Sequence, residues 1–456
     1  MEELERLPPE VWVYIFSYLS TEEKHTVRTC CRFMKTVVDH HSLWKDYTVV
    51  LSDLRRYTYG FWDTLNHRRL TRVAVRRLRR KEWRRLVTFL PSITAIVFVE
   101  DGGRLYKEKY LDNLSRFPDL RDLGVRNATW DQGMLGQSLS EHLRERLTHL
   151  SVCNVRLPCT VHFVSTVAHL VNLRYLVFHQ QGESYWPDRV RPVPCNVFNH
   201  LLLNLKKLRH LSWGMKGEPP QPLPDDFFSP ADPEQPGKYG GPALTSLELL
   251  DYPEPILAEN ALRSLTSLRS LMVRYSFMRE GVRCRLRSWL SPLQQLETLT
   301  IVGGNTLASY TTTIPSSVKR LTLRVAITLK DMDLIAPAVP GLEHLDIEQN
   351  RSTGNLCRRI PMLFPQLKSL RIRFHRKEPE KELLCLHKLR HLERLELLVD
   401  RSFIFRDYTN GPSWPSPGVQ EIIDQLQQLA NNRITVVTKV PQRDLLRQCD
   451  CLCEVD

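Results

Sequence analysis

The chain has 456 residues, of which 42% are apolar and 25% charged, and it carries a formal net charge of +13 at pH 7. This composition is typical of a globular protein with several domains or one long repeat array, and no stretch approaches the roughly 18 unbroken apolar residues of a membrane-spanning helix. Eleven cysteines, an odd number, favour free thiols in the reducing cytoplasm or nucleus over a disulfide framework.

The first predicted helix lies within "LPPEVWVYIFSYL", residues 7–19. The prolines near its start suit a first turn, because proline lacks the N–H that such a turn leaves unpaired. Its apolar residues form two stripes on different faces, Val11, Ile15 and Leu19 on one and Trp12 and Phe16 on the other. We expect Val11 and Ile15 to be core residues of their own helical unit. Trp12 and Phe16 are harder to bury in so small a unit, which predicts that a partner or the first repeat covers them.

Two further segments follow this helix, "STEEKHTVRTCCRFMKTVV" and "HHSLWKDYTVVL". Together the first 50 residues resemble an F-box, a unit of three helices that ends in an apolar Leu-Trp pair. The resemblance implies a surface for the Skp adaptor of an SCF ubiquitin ligase, formed by the matching residues Leu7, Pro8, Ile15, Phe16, Leu19, Leu43 and Trp44. Two positions depart from the family, since Lys24 stands where Leu is usual and Met34 where Trp is common. Methionine fills much of the lost volume, whereas Lys24 must lift its ammonium into water.

Residues 51–69 are predicted to be a linker with an N-terminal cap helix, and basic residues concentrate around them. Residues 55–85 hold twelve Lys or Arg against two acids. A dense part of this basic patch lies on the helix predicted after the first repeat strand, at Arg79, Arg80, Lys81, Arg84 and Arg85. A solvated helix face, a nuclear import signal and a contact with an acidic partner all remain open. Nucleic acid binding is disfavoured, because no aromatic or base-reading motif accompanies the patch.

Residues 70–399 repeat the frame L-x-x-L-x-L, with other large apolar residues accepted, at intervals mostly of 22–28 residues. The thirteen frames begin at Leu70, Ile93, Leu120, Leu147, Leu173, Leu208, Leu244, Leu268, Leu296, Val318, Leu342, Leu367 and Leu392. This period is typical of leucine-rich repeats, in which a strand alternates with a helix or an irregular turn. The predicted fold class is therefore α/β, a three-helix F-box followed by a curved leucine-rich-repeat solenoid with a concave parallel sheet. The whole chain resembles the F-box/leucine-rich-repeat family of substrate receptors.

The longer intervals and the C-terminal region depart from the repeat. Residues 214–242 are rich in Pro, Gly and acids and are predicted to be an inserted flexible loop. Residues 400–440 are predicted to be a loop and a C-terminal cap with a last helix and strand. Residues 441–456 form a tail that contains Cys449, Cys451 and Cys453. We expect this tail to be disordered and not prenylated, because Glu454 and Asp456 suit that modification poorly.

Catalytic motifs are absent from the sequence, which has no P-loop and no G-x-G-x-x-G, H-E-x-x-H or G-x-S-x-G pattern. His387 and His391, with Cys385 nearby, have a spacing that suits a metal, but no second pair follows, so a solvated repeat segment is preferred. We therefore expect no catalytic residue, no metal and no cofactor.

Frame positions 3, 5 and 7 point away from the core, and equal positions of neighbouring parallel strands lie side by side. Over the last repeats the charges at these positions alternate, with Asp346, Arg371 and Glu396 at position 5 and Arg324, Glu348 and Arg373 at position 7. Alternation predicts that these charges pair with one another and need no ligand. The upstream positions lack such built-in partners and are predicted to bind a protein substrate through Arg126, His149, Tyr175, His179, His210, Met272 and Arg274. A face that binds nothing in its middle is the alternative.

The combined interpretation is a non-catalytic substrate-recognition subunit of an SCF-type E3 ubiquitin ligase in the cytoplasm, the nucleus or both. Its expected partners are the Skp adaptor, the cullin and RING subunits and an unidentified target protein, with no membrane contact. The alternative is a leucine-rich-repeat scaffold or inhibitor that never meets a cullin.

Overall fold

The structure is a computed structural model that describes residues 7–76, 83–100, 104–105, 114–130, 141–180, 193–215, 223–232, 235, 239–252, 256–275, 284–325, 327–347, 353–374, 381–399, 415 and 417–439. The chain divides near residue 181 into two compact units. Within these described segments, no helix combines the length and apolarity that crossing a membrane requires.

Three short helices open the first unit, α1 (Pro9–Ser17), α2 (Thr21–Arg28) and α3 (Arg32–Val38). Pro9 takes the first position of α1, where its missing N–H costs nothing. Ser20 and Glu23 form a capping box on α2, in which the Glu23 N–H donates to the Ser20 hydroxyl and the Ser20 N–H donates to the Glu23 carboxylate. A short 3-10 helix, His41–Leu43, follows α3. The sequence predicts three helices within residues 1–50, and α1, α2 and α3 lie there.

The sheet of the first unit begins with a strand that the repeat frame does not mark. The strands described in this unit are β1 (Thr48–Ser52), β2 (Arg72–Arg76), β3 (Ala95–Val99), β4 (Arg104–Leu105), β5 (Asp122–Arg126), β6 (Thr129–Trp130), β7 (His149–Val155) and β8 (Tyr175–Gln180). β4 pairs with β6, and the others are parallel neighbours in the order β1-β2-β3-β5-β7-β8. β1 thus places the start of the sheet at the end of the segment predicted to be the F-box. The helices between the strands are α4 (Tyr59–His67), α5 (Trp83–Phe89), α6 (Glu141–Arg146) and α7 (Thr160–Val167).

The second unit continues the same pattern. Its described strands are β9 (His210–Gly214), β10 (Ser246–Tyr252), β11 (Ser270–Tyr275), β12 (Thr298–Val302), β13 (Arg320–Arg324), β14 (His344–Ile347), β15 (Ser369–Phe374), β16 (Arg394–Val399) and β17 (Thr435–Lys439). Each strand is parallel to the next in chain order. The described helices are α8 (Cys195–Asn204), α9 (Leu286–Leu290), α10 (Leu329–Ala338), α11 (Thr353–Leu363) and α12 (Pro417–Leu429), with short 3-10 turns between them.

Every one of the thirteen predicted frames begins two residues before a strand, from Leu70 before β2 to Leu392 before β16. In β11, Leu271 and Val273 are fully buried, whereas Ser270 and Met272 are half-buried on the other face. This alternation follows from the two-residue period of a strand, and it stacks the frame leucines of successive repeats into one core. The predicted α/β class, F-box helices followed by a parallel leucine-rich-repeat sheet, is confirmed.

Residues 223–232, part of the insertion predicted to be a flexible loop at residues 214–242, pack into the core. In residues 223–232, Phe227 and Phe228 are buried, and the Phe227 ring stacks on that of Phe198 with centroids 4.2 Å apart. An aromatic side chain that buries this much area fixes the segment that carries it. The other residues of the insertion, 216–222, 233–234 and 236–238, lie outside the described residues.

The second unit ends with α12 and β17, where a last helix and strand are predicted. The amphipathic face of α12 buries Val419, Ile422, Ile423 and Leu426. Residues 401–414, 416 and 440–456, with the three tail cysteines, lie outside the described residues.

Candidate protein-interaction surfaces

The face of α1 that was expected to be buried is exposed, and the face that was expected to need a partner is the more buried one. Phe16 is buried, with 4% of its surface exposed, and Trp12 is half-buried beside it at a ring-centroid distance of 5.6 Å. Val11 and Ile15, which were expected in the core, are exposed. The physical reason is size, because a small helical unit gains most from burying its largest aromatic side chains.

The exposed face of α1 is an apolar stripe made of Leu7, Val11, Tyr14, Ile15 and Tyr18, which are between 39% and 71% exposed. The four-residue spacing of Val11 and Ile15 places them on one side of the helix, and Leu7 lies just before its N-cap, Pro8. The Tyr18 hydroxyl donates a hydrogen bond to the Tyr14 hydroxyl at 2.5 Å, which orders the edge of the stripe. Sequence reasoning missed the two tyrosines, although their spacing along α1 is the signal that reveals them.

The other residues predicted to contact the adaptor divide by burial. Pro8 is exposed, Leu19 and Leu43 are half-buried, and Trp44 is buried with 1% of its surface exposed. The Trp44 indole N–H donates to the Val38 carbonyl at 2.6 Å. Phe16 and Trp44 therefore support the unit from inside.

Both departures from the F-box pattern lie against or near this core. Met34 is buried and fills the space where the family usually has a larger side chain. Lys24 is half-buried, its ammonium lies 5.8 Å from the centroid of the Trp44 ring, and burial lowers its pKa. Lys24 thus covers the tryptophan where an aliphatic residue would otherwise lie.

A buried charge cluster joins the F-box helices to α4. Asp39 accepts hydrogen bonds from Arg28 Nε at 2.9 Å and from Arg68 Nε at 2.8 Å, and both Asp39 and Arg68 are buried. The Arg68 guanidinium also lies 3.8 Å from the centroid of the Trp44 ring. Burial alone raises the pKa of the Asp39 carboxyl, but the hydrogen bonds from both arginines outweigh it and hold that pKa below its usual value. No spacing rule in the sequence connects these residues.

On the outward sheet face of the second unit, the predicted mutual pairing of charges is confirmed for frame position 5. Asp346, Arg371 and Glu396 lie directly opposite one another on β14, β15 and β16. Arg371 lies 3.3 Å from Asp346 and 3.4 Å from Glu396, and Arg324 lies 3.8 Å from Asp346. Glu348 lies outside the described residues. The charges of this ladder therefore lie next to opposite charges on neighbouring strands.

The expectation that the upstream candidates lack built-in partners is wrong, as His149, His210 and Arg274 show. His149 Nδ1 lies 2.9 Å from Asp122, His210 Nδ1 lies 2.9 Å from the Ser246 hydroxyl, and Arg274 lies 3.1 Å from Asp251. Two of these partners occupy frame position 3 of the adjacent strand, and Asp251 lies at an irregularity of β10 with a left-handed φ of 51°. The sequence was compared only at frame positions 5 and 7, so the comparison could not reveal these three partners. The structure places all the candidates on strands and half-buried, at Arg126, His149, Tyr175, His179, His210, Met272 and Arg274.

Frame position 5 is occupied by small residues in the first unit, in contrast to the charged residues of the ladder. One row crosses β2, β3, β5, β7 and β8 in register and consists of Ala74, Val97, Gly124, Ser151 and Val177. Ala74 and Val177 are fully buried and pack in one cluster with Val97, Val99 and Cys153. In the second unit the same position holds Ser212 and Glu248, whose side chains are joined by a hydrogen bond of 2.5 Å. The contrast between small apolar and charged residues at position 5 is visible in the sequence once the frame is known.

Close packing of this row predicts that Gly124→Ala destabilises the first unit. A Cβ at position 124 would lie 2.9 Å from Val97 Cγ2, which is too close for van der Waals contact. Overpacking of this kind costs about 1–3 kcal/mol, so chemical denaturation should show a loss of unfolding free energy in that range. Gly60→Ala is the control, since a Cβ at position 60 meets nothing within 4 Å. Equal stability of the two variants would show that the row is loosely packed.

The predicted basic patch is only partly described. Arg84 and Arg85 are exposed on α5, and Arg85 Nη1 donates to the Leu54 carbonyl at 3.1 Å, whereas Arg79, Arg80 and Lys81 lie outside the described residues. One exposed aromatic residue lies beside the patch, since Tyr59 is 78% exposed and its ring packs edge-on against Phe89 of α5.

The described residues contain no cluster of three His, Cys, Asp or Glu side chains that could hold a metal. His387 Nδ1 instead lies 2.6 Å from the Leu384 carbonyl, within its own turn.

Residues 4–49 match the F-box-like family. No curated protein sequence matches the chain. Among solved structures, the mouse RP105/MD-1 complex is similar at 13% identity and a TM-score of 0.39, over 69% of this chain and 52% of that one, so this chain spans about half its length. The leucine-rich repeat-containing protein LegL7 from Legionella pneumophila is similar at 12% identity and a TM-score of 0.37, over 65% of this chain and 84% of that one. The repeat assignment rests on the strand register above and not on these likenesses.

Proposed function

We propose that this chain, in which leucine-rich repeats follow an F-box-like domain, is the substrate-recognition subunit of an SCF-type E3 ubiquitin ligase. F-box domains generally bind a Skp adaptor, and repeat sheets offer long surfaces for protein ligands. The chain contributes binding and no chemistry of its own. It holds a target protein near a ubiquitin-loaded conjugating enzyme recruited through the cullin and RING subunits, which replaces a bimolecular encounter by one within a complex.

The observation that carries this proposal is the α1 apolar stripe. Five large apolar or aromatic side chains, on one face of a short helix and just before it, lie exposed inside the segment that matches the F-box-like family. A contiguous exposed patch of this kind is typical of a protein-protein interface. Arginine and aromatic residues on the outward face of the repeats are of the types that dominate such interfaces, which supports a second surface for the target.

The proposal is tested by purifying the tagged full-length chain from cells treated with a neddylation inhibitor and identifying its partners by mass spectrometry. Recovery of the Skp adaptor and a cullin in near-stoichiometric amounts is the expected result. Recovery of a target without either subunit would support a scaffold or inhibitor that acts outside a ligase.

A pair of variants distinguishes the candidate target residues from the charge ladder. We expect Tyr175→Ala with Arg274→Ala to release the target, because these half-buried side chains belong to the candidate surface, and to leave Skp binding unchanged. Arg371→Glu should lower the unfolding free energy by about 1 kcal/mol and spare the target, because it disturbs the self-paired charge ladder. Co-precipitation of the target, with thermal melts as the folding control, measures both. Loss of the target with Arg371→Glu alone would move the target surface to β13–β16.

A further inference from the structure

The described arginines of the basic patch lie on α5 and on the Leu54–Arg56 turn, next to an exposed tyrosine of α4. The Leu54–Arg56 turn carries Arg55 and Arg56, both well exposed, and the Arg85 hydrogen bond to Leu54 brings α5 against this turn. One helical turn beyond Arg85, Phe89 packs edge-on against Tyr59 with ring centroids 5.6 Å apart. We define the arginine-tyrosine surface as Arg55, Arg56, Tyr59, Arg84 and Arg85.

The aromatic part of this surface is held rigidly from below. The Trp62 ring, which is buried, stacks on Phe89 at 5.1 Å with the two planes 7° apart. Phe61 stacks on Tyr57 at 4.3 Å. Tyr59 therefore presents an exposed ring on a fixed base. Binding of a ligand to this ring costs little side-chain conformational entropy.

The charge of this region is strongly unbalanced. Residues 53–76 and 83–89 hold eight arginines against two acids, Asp53 and Asp63, although Arg68 pairs with Asp39 and Arg72 with Asp122, so the other six arginines carry the excess. Asp53 already contacts two of the arginines, Arg55 at 3.0 Å and Arg56 at 3.3 Å, so one carboxylate is shared between two guanidinium groups. Such an excess attracts an anionic partner and lowers stability by self-repulsion when none is bound.

We propose that the arginine-tyrosine surface binds an acidic polypeptide segment, separately from the α1 apolar stripe and the outward sheet face. Guanidinium groups pair with carboxylates in two-point hydrogen bonds, and a peptide backbone or side chain packs on Tyr59. A single-stranded nucleic acid fits less well, because such ligands stack successive bases on a series of rings, and Tyr59 is the strongly exposed ring in the described part of this surface.

The test uses the full chain and a fluorescein-labelled twelve-residue peptide of Glu and Asp with one central Phe, measured by fluorescence anisotropy at two salt concentrations. We expect binding that weakens with salt and falls at least tenfold when Arg55, Arg56, Arg84 and Arg85 are all changed to Gln. Tyr59→Ala should weaken it about threefold at high salt, and Tyr59→Phe should restore it.

The matched control changes four exposed arginines of the second unit to Gln, at Arg263, Arg287, Arg320 and Arg390. Both quadruple variants lose the same net charge, so equal weakening would overturn the proposal by showing that only overall charge matters. Tighter binding of a labelled single-stranded oligonucleotide than of the peptide, lost in the first variant, would overturn it in favour of nucleic acid. Neither outcome depends on Skp binding, so the ligase proposal is tested independently.

Discussion

Val11→Glu combined with Ile15→Glu should abolish co-purification of the Skp adaptor while the chain stays folded. Both side chains are exposed, so glutamate in their place meets water in the free protein. In a complex the same carboxylates would be buried against apolar surface without partners. Loss of two apolar contacts and burial of two charges should lower the affinity at least about 100-fold, on the order of 3 kcal/mol. Quantitative pull-down from cells co-expressing the adaptor, followed by titration of the purified proteins, measures the effect.

A control for this experiment adds a charge to the same helix outside the stripe. Ser17 is exposed and is not part of the α1 apolar stripe, so Ser17→Glu should bind the adaptor almost normally. Phe16→Ala and Trp44→Ala are unsuitable as interface variants, because both side chains are buried and their loss creates cavities that cost about 3–5 kcal/mol each. If the folded double variant keeps full adaptor binding, the stripe is not the adaptor surface and the principal support for the ligase proposal is lost.

The second large effect is expected at Asp39. Asp39→Asn keeps the shape of the side chain and removes the charge that Arg28 and Arg68 face, leaving the buried Arg68 guanidinium without its carboxylate. Breaking a buried pair in this way costs about 3 kcal/mol. Hydrogen exchange of peptides from residues 21–47 and thermal melts of the full chain should both show the loss.

The pH dependence follows from the direction of the Asp39 shift. Its pKa in the folded protein lies below the unfolded value of about 3.9, so the ionised carboxylate stabilises the fold above that value and the stabilisation is lost as the pH falls through the folded pKa. The stability difference between wild type and Asp39→Asn should therefore be complete at pH 7 and shrink towards pH 3.

Asp53→Asn is the matched control for this prediction. Asp53 also contacts two arginines, but all three groups are partly or largely exposed, so the loss should stay within about 1 kcal/mol. Asparagine also tolerates the left-handed φ of 49° at this position. A comparable loss from both variants would mean that burial does not set the strength of the Asp39 cluster.

Within the second unit, the pairing of the charge ladder could be predicted from the sequence and the partner of Arg274 could not. Alternating charges at equal frame positions need only the register of neighbouring strands, which the repeat provides for Asp346, Arg371 and Glu396. The partner of Arg274 lies at an irregularity of β10, and nothing in a regular frame indicates where such an irregularity falls.

The sequence by itself determined where the strands of the repeats lie. A frame of leucines with a fixed period encodes both the strand and the side of it that is buried, so thirteen frames mark thirteen strands. Tertiary structure decided which stripe of α1 is exposed, because periodicity defines the faces of a helix but not the neighbours that cover them. It also joined Asp39 to Arg68, 29 residues apart, and placed Tyr59 against Phe89 beside the arginines. Contacts of that kind depend on how separate elements pack in three dimensions, and no local pattern in the chain records them.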